Sequence, residues 1–271
     1  MGRKETRLDL AMVERGLVEN RSRAKAMILA GDVLVDDVPV TRAGASVTPA
    51  QTVSLKQKPR FVGRGGEMID HALDRFGVDV RGRIVSDLGA STGGFTDAVL
   101  QRGAAKVYAI DVGYGQLDFR LREDSRVVVM ERTNARYLES LPEPVDVVVI
   151  DVSFISLNLM FPAVDRILAM DGVVVPLIKP QFEAGRQEVG KGGVVRDPKI
   201  HRAVLEKVVR EAAESGFRCD GLTASPLTGP AGNHEFLGLF RRSEQEPDPS
   251  DIDAMISQAL AEVRAQDEEQ T

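Results

Sequence analysis

Residues 85–95 read VSDLGASTGGF: a β-branched run into Asp87, glycines at 89, 93 and 94, and an apolar stretch beginning at Phe95. Gly89, Gly93 and Gly94 permit positive φ and let backbone amides come close to a ligand. The next β-branched run ends in Asp111, 22 residues after Gly89. An acidic side chain at that distance, at a strand end, is suited to hold ribose hydroxyls. Ligands in open α/β sheets lie beyond the carboxyl ends of the strands. The arrangement therefore points to a cofactor that contains a nucleoside.

Three other readings of the same segment stay open at the level of sequence. The dinucleotide fingerprint G-x-G-x-x-G is broken by Ser91, which argues against a nicotinamide enzyme. Residues 89–93 also spell the nucleophile elbow G-x-S-x-G, and Ser91, Asp151 and His234 follow one another in the order of an α/β-hydrolase triad. Against that, the elbow would sit on the first strand of the sheet, no HGGG-type oxyanion segment precedes it, and Asp111 would have no task. The third reading is a tight turn without a ligand. A second glycine segment, GRQEVGKG at 185–192, nearly spells a phosphate-binding loop, but Gly192 stands where the magnesium-holding hydroxyl belongs. It reads as a loop near the site.

Charged residues recur at the ends of β-branched runs. Asp151 ends VDVVVID, Lys179 ends VVVPLIK, and Glu235 follows TGPAGNH. Such positions lie at the ligand crevice, where desolvation perturbs proton affinity; the plainer alternative for each is a salt bridge or a cap. The histidines, His71, His201 and His234, have no metal-ligand spacing, and the one cysteine, Cys219, allows neither an internal disulfide nor a cysteine-based cluster. No metal is expected, and a cytoplasmic setting fits best.

These residues need strands and helices in alternation. From about residue 63 the runs 84–88, 107–110, 127–130, 147–150 and 173–178 predict strands, with helices over 95–102, 115–121, 157–168 and 197–215 and a last strand at 235–240. Strands apolar on both faces imply a mostly parallel sheet covered by helices, a Rossmann-like α/β domain over 63–242. Ahead of it, residues 1–60 predict a small α+β module. Two short helices over 7–30 carry a stripe of Leu8, Leu10, Met12 and Val13 and an N-cap at Ser22; a hairpin turns at Asp36-Asp37, and a strand covers 51–55. KQKPRF and its neighbour (56–62) predict a linker, and 243–271 an acidic tail with a helix at 252–263 and disorder from residue 266.

With 43% apolar and 28% charged residues the chain has a globular composition, and no apolar run approaches a membrane span. Its net charge of −6 is unevenly divided: residues 1–60 hold 11 Lys+Arg against 7 Asp+Glu, the rest 24 against 34. A basic module on an acidic one places any nucleic-acid contact at the N-terminal end.

The motifs in order support a closer assignment. RLDLAMVERGLVENRSRAKAMILAGDVLVDDVPV resembles the RNA-binding module of the ribosomal-protein-S-four type. GRGGEM, DLGASTGGFTD, AIDVGYGQL, ERTNAR, DVSFISL, PLIKPQFE, GGVVRDP and GPAGNHEF resemble the TlyA-type (hemolysin A-type) family of ribosomal RNA cytidine 2′-O-methyltransferases, whose catalytic domain is FtsJ-like. The resemblance implies a class I methyltransferase sheet, S-adenosylmethionine as cofactor, and ribosomal RNA or ribosomal subunits as partner. It implies that Asp87, Gly89, Ser91, Gly93, Asp111 and Asn134 line the cofactor pocket. It also implies that Asp151, Lys179 and Glu235 are three members of the family's Lys-Asp-Lys-Glu tetrad, with Lys179 taking the proton of the attacking hydroxyl. The first lysine of that tetrad is replaced by Met68, which supplies neither charge nor a hydrogen-bond donor. A chain that binds RNA with little or no turnover is the alternative this departure raises. A pore-forming haemolysin, which the family name suggests, finds no support in membrane-active segments.

Overall fold

The computed structural model describes residues 5–56, 59–243, 245 and 248–269. The chain divides into two compact units, Met1–Pro59 and Arg60–Thr271.

In the first unit, β1 (Thr6–Arg7) leads into α1 (Leu8–Glu14) and α2 (Arg21–Leu29); then come β2 (Val33–Val35), β3 (Val38–Pro39), β4 (Ser46–Val47) and β5 (Val53–Leu55). β1 pairs with β4, and β2 lies between β3 and β5. Leu8, Met12, Ala24, Ile28, Val33 and Val53 close the core. Leu8 and Met12 are one helical turn apart, so both face inward, whereas Leu10 points to solvent. The predicted four-residue stripe is thus narrower in fact. The cap of α2 is Asn20, not Ser22: its extended backbone lets the side chain accept from the Arg23 amide at 2.9 Å. Asp36 and Asp37 take φ of 50° and 64° at the hairpin tip, the twist that suits a two-residue turn.

The second unit holds α3 (Gly65–Arg75), β6 (Ile84–Leu88), α4 (Gly94–Gln101), β7 (Lys106–Ile110), α5 (Phe119–Arg122), β8 (Val127–Met130), β9 (Val145–Ile150), α6 (Phe161–Ile167), β10 (Leu168–Ile178), α7 (Pro180–Glu183), α8 (Pro198–Glu214), β11 (Phe217–Ala224), β12 (Phe236–Arg242) and α9 (Pro249–Glu269). One seven-stranded sheet runs in the order β11-β12-β10-β9-β6-β7-β8. The five strands from β10 to β8 are parallel, and β12 is antiparallel to both β10 and β11. Strand order reverses between β6 and β9, which is where such a sheet opens a ligand crevice. Apolar clusters cover both faces; one is built around Phe161, Phe217 and Phe240, the other around Ile69, Val85 and Phe95.

Several boundaries differ from the sequence reading for local reasons. β11 has no counterpart in it, because Arg218, Asp220 and Gly221 break the alternation, and the strand carries a register shift at that point. The helix predicted over 115–121 shrinks to α5, since Gly115 is in the left-handed region and Asp118 caps a later start. The one predicted over 157–168 splits into a 3-10 turn (Leu157–Leu159) and α6, because Pro162 fits only the first turn of a helix. Residues 60–62 are not linker: Arg60 pairs with Asp70, Phe61 is buried, and the Val62 amide donates to Asp97 at 2.8 Å. Lys56 is bonded back to Asp32, and Gln57 and Lys58 lie outside the described residues. The acidic C-terminal segment is mostly helix. α9 buries Ile256, Ala259, Leu260 and Val263 in the core, and it extends through 266–269, where disorder was expected; 270–271 lie outside the described residues.

Phe161 packs its ring against Phe217 and Phe240 at centroid distances of 5.3 and 5.7 Å. Phe161→Ala is expected to cost about 3–5 kcal/mol of stability, read as a lowered midpoint with unchanged slope in urea unfolding.

Candidate active site

The carboxyl ends of β6 and β9 meet at Gly89. Its φ is +91°, and a Cβ there would fall 2.4 Å from the carbonyl oxygen of Asp151, so no other residue fits. The Gly89 and Ala90 amides both donate to the Ile110 carbonyl at the end of β7. Asp111 then ties the turn together: Oδ2 accepts from the Ser91 amide at 2.8 Å and Oδ1 from the Gly113 amide at 2.6 Å. Asn134 caps a 3-10 turn after β8 by accepting from the Arg136 amide at 3.1 Å.

These groups enclose a cavity of about 470 Å³. Gly89, Ser91, Asp111, Asn134 and Asp151 line it together with the apolar Ile110, Val112, Ile155 and Met160. Two of the residues assigned from sequence stand outside this lining. Gly93 is in the left-handed region at the start of α4, where Leu121 leaves no room for a Cβ. Asp87 lies fully buried beneath the turn, where its Oδ2 accepts from the amide and hydroxyl of Thr96 at 3.0 and 2.7 Å. Both shape the loop rather than the cavity wall.

The charged residues come together on the other side of Gly89. Lys179 Nζ lies 2.5 Å from Asp151 Oδ1 and donates to Ser153 Oγ at 2.9 Å. Glu235 is buried and accepts from Gln181 Nε2 at 3.0 Å. Burial raises its proton affinity, and the Gln181 hydrogen bond, Lys179 and Arg64 pull it back. Asp151 borders both the cavity and a small cleft lined by Gly63, Arg64 and Gly65. Met68, in the place of the tetrad's first lysine, is only 5% exposed and packs in the apolar cluster with Phe61 and Ile69. The cation this segment brings towards the site is Arg64, whose guanidinium donates to the Thr228 carbonyl.

The rival readings lose their geometry. Ser91 Oγ faces Gln116 at 3.5 Å, Asp151 is held by Lys179, and His234 Nε2 is 3.1 Å from Asp267. A hydrolase triad is not assembled from residues so committed. Residues 185–192 follow a helix instead of a strand, and Glu188 occupies the Gly185 amide at 2.7 Å. His201 bonds the Val195 carbonyl and His71 faces Thr223, both structural roles. Sequence reasoning missed Ser153, Gln181, Thr96 and Phe154. Phe154, at φ +63° and 89% exposed, lines the cavity; only its nearness to Asp151 could have drawn notice.

Burial pushes the Asp87 carboxyl up to about 7, with Asp151 and Asp111 adding repulsion and Thr96 opposing. The unfolded chain ionises Asp87 near 3.8. Between those values the unfolded state gives up a proton that the folded state keeps, so raising the pH favours unfolding. Asp87→Asn, which retains the acceptor for Thr96, is expected to gain stability over wild type by up to about 1.4 kcal/mol per pH unit across that window. Urea unfolding of both proteins from pH 4 to 8 measures it; parallel curves would contradict the assignment.

The FtsJ-like methyltransferase family matches residues 61–242, and the S4 domain family matches residues 6–53. The Bacillus subtilis protein YqxC, named as a candidate rRNA methyltransferase, is 47% identical over 88% of this chain and 86% of its own. The 16S/23S rRNA (cytidine-2′-O)-methyltransferase TlyA of Mycobacterium tuberculosis is 44% identical over 96% of this chain and 98% of its own. A solved Streptococcus thermophilus structure described as a candidate hemolysin superposes with a TM-score of 0.74 at 41% identity, covering 98% of this chain and 100% of that one. With the switch-point cavity, the strand order and these matches in agreement, the chain belongs to the TlyA-type FtsJ-like methyltransferases, and an S4 domain precedes its catalytic domain.

Proposed function

We propose that this enzyme transfers the methyl group of S-adenosylmethionine to a ribose 2′-hydroxyl of ribosomal RNA, a cytidine in the intact ribosomal subunit. The observation that carries the reading is the Lys179–Asp151 ion pair, which borders the cavity on one side and stands with Glu235 on the other. The residues present suit the cofactor. The cavity is within the range of about 300–1,000 Å³ typical of small-molecule sites. The absence of a Cβ at Gly89 brings backbone to its edge, Asp111 presents a carboxylate at the end of β7, and an apolar wall is available to a base.

When bound, S-adenosylmethionine supplies an electrophilic methyl on a sulfonium. Lys179, once its amine has shed its own proton to solvent, is the group proposed to receive the proton of the attacking ribose hydroxyl. Asp151 and Ser153 fix the direction of its amine, and Glu235 orients the hydroxyl from the far side. Asp87 and Gly93 hold the loop, and Gly89, Ser91, Asp111 and Asn134 would hold the cofactor. Much of the rate comes from positioning reactants that are already aligned.

The N-terminal unit is proposed to grip structured RNA, in keeping with its basic balance, and the substrate implies a cytoplasmic setting. Among the described residues no helix is long and apolar enough to cross a membrane. The reading as a non-catalytic assembly factor is not favoured, because Asp151, Lys179 and Glu235 are all present and Arg64 brings a cation to the segment where lysine is missing.

Tritium from labelled S-adenosylmethionine is expected to enter isolated ribosomal subunits with wild-type protein. Lys179→Ala should slow transfer by at least about 10²-fold with cofactor affinity little changed, and Asp151→Ala should slow it by a similar factor. Gly89→Ala should lose cofactor binding in calorimetry. An inert wild type that Met68→Lys activates would replace this reading with the RNA-binding one.

A further inference from the structure

Glu183 takes no part in the chemistry described above, yet it is a buried carboxylate four residues beyond Lys179. Its oxygens face a different segment of chain. Oε2 accepts from the Ser156 hydroxyl at 2.5 Å and Oε1 from the Leu157 amide at 2.7 Å. From α8, Lys207 approaches within 3.6 Å and also donates to the Glu183 carbonyl at 2.9 Å. A buried carboxylate needs such partners to remain charged.

The same short stretch holds the facing segment at two more points. Lys179 donates to Ser153, and the Phe182 ring lies 4.8 Å from that of Phe154. Between these tethers Phe154 adopts a φ of +63°, which a bulky residue keeps only where its surroundings over-determine it. Phe154 is largely exposed, so burial in a core does not hold it there. Val152, Ser153, Phe154 and Ile155 form one wall of the cavity beside Asp151.

We propose that Glu183 is a positioning residue: held by Lys207, it clamps Ser156 and Leu157 and thereby sets the wall of residues 152–155 against the cofactor. This rests on the reading of the cavity as the S-adenosylmethionine site. Without the clamp, Ser156 and Leu157 lose their acceptor, and the segment relaxes from the conformation Phe154 holds. Lys179 keeps its own contact with Asp151, so the loss should fall more on cofactor affinity than on the transfer step.

The test compares wild type, Glu183→Ala, Glu183→Gln, Ser156→Ala and the Glu183→Ala/Ser156→Ala double variant. Calorimetry gives Kd for S-adenosylmethionine, tritium transfer to ribosomal subunits gives KM and kcat, and thermal unfolding gives Tm. Removing a hydrogen bond to a charged group predicts a rise of about 10-fold or more in Kd and KM for Glu183→Ala with a smaller change in kcat. Glu183→Gln, which keeps one acceptor, should recover part of the affinity, and the double variant should be no worse than Glu183→Ala. Should Glu183→Ala not fold, the milder Glu183→Gln and Ser156→Ala carry the same comparison. A lowered Tm with unchanged Kd would overturn the proposal, since Glu183 would then be structural alone. A wild type that does not bind S-adenosylmethionine would overturn the cofactor reading itself, and this inference with it.

Discussion

Strands β6 and β9 run side by side and finish in backbone contact, with Gly89 against the carbonyl of Asp151 at a distance that excludes a side chain. The rest of the catalytic unit depends on that contact. It joins the turn that shapes the cavity to the strand that delivers Asp151, so the two halves of the site are one piece of main chain packing. Parallel pairing makes this possible. Both strands expose their carboxyl ends on the same edge, and the reversal of strand order leaves no neighbour to cover the gap. Lys179 at the end of β10 reaches the same edge from the next position in the sheet.

Crowding acids at one edge has an electrostatic cost, and the structure offsets it in three different ways. Asp111 turns both oxygens to backbone amides. Asp151 faces an ammonium. Asp87 is buried and bonded to Thr96, and its proton affinity rises until a neutral form competes near neutral pH. The first unit solves a related problem in the opposite direction. Asp9 is buried there, and the guanidinium of Arg7, assisted by Arg21, brings its carboxyl down to about 2 against the cost of burial. That ion pair holds basic side chains in place on a module whose net charge is positive.

Glu235 shows how far support for the site extends. The loop before it is pinned from two sides. Asn233 is buried, accepts from the Val195 amide and donates to the Gly193 carbonyl. On the other side three residues of α9 make contacts: Glu262 accepts from the Thr223 hydroxyl and the Ala224 amide, Gln266 donates to the Ser225 carbonyl, and Asp267 meets His234. A segment that composition alone marks as an acidic tail therefore helps to place the Glu235 loop.

Periodicity and local chemistry went far in this chain. The β-branched runs, the glycine turn, Asp111 at the next strand end and the Asp-Pro start of α8 are all written within a few residues, and the structure has each of them. What sequence reading lacked is information that exists only between distant segments. Asp87 and Gly93 look like ligand contacts in a motif, but packing against Thr96 and Leu121 turns them into supports. β11 is a strand because β12 and α9 bury it, although its own pattern is broken by Asp220 and Gly221. Met68 reads as a missing lysine, whereas the fold seats it in a core and brings Arg64 to the cleft. Local sequence determined which elements form and which chemistry they carry, because turns, caps and alternation act over a few residues. Tertiary structure alone decided which polar groups face the cavity and which hold it open, because that depends on burial and on partners tens of residues away.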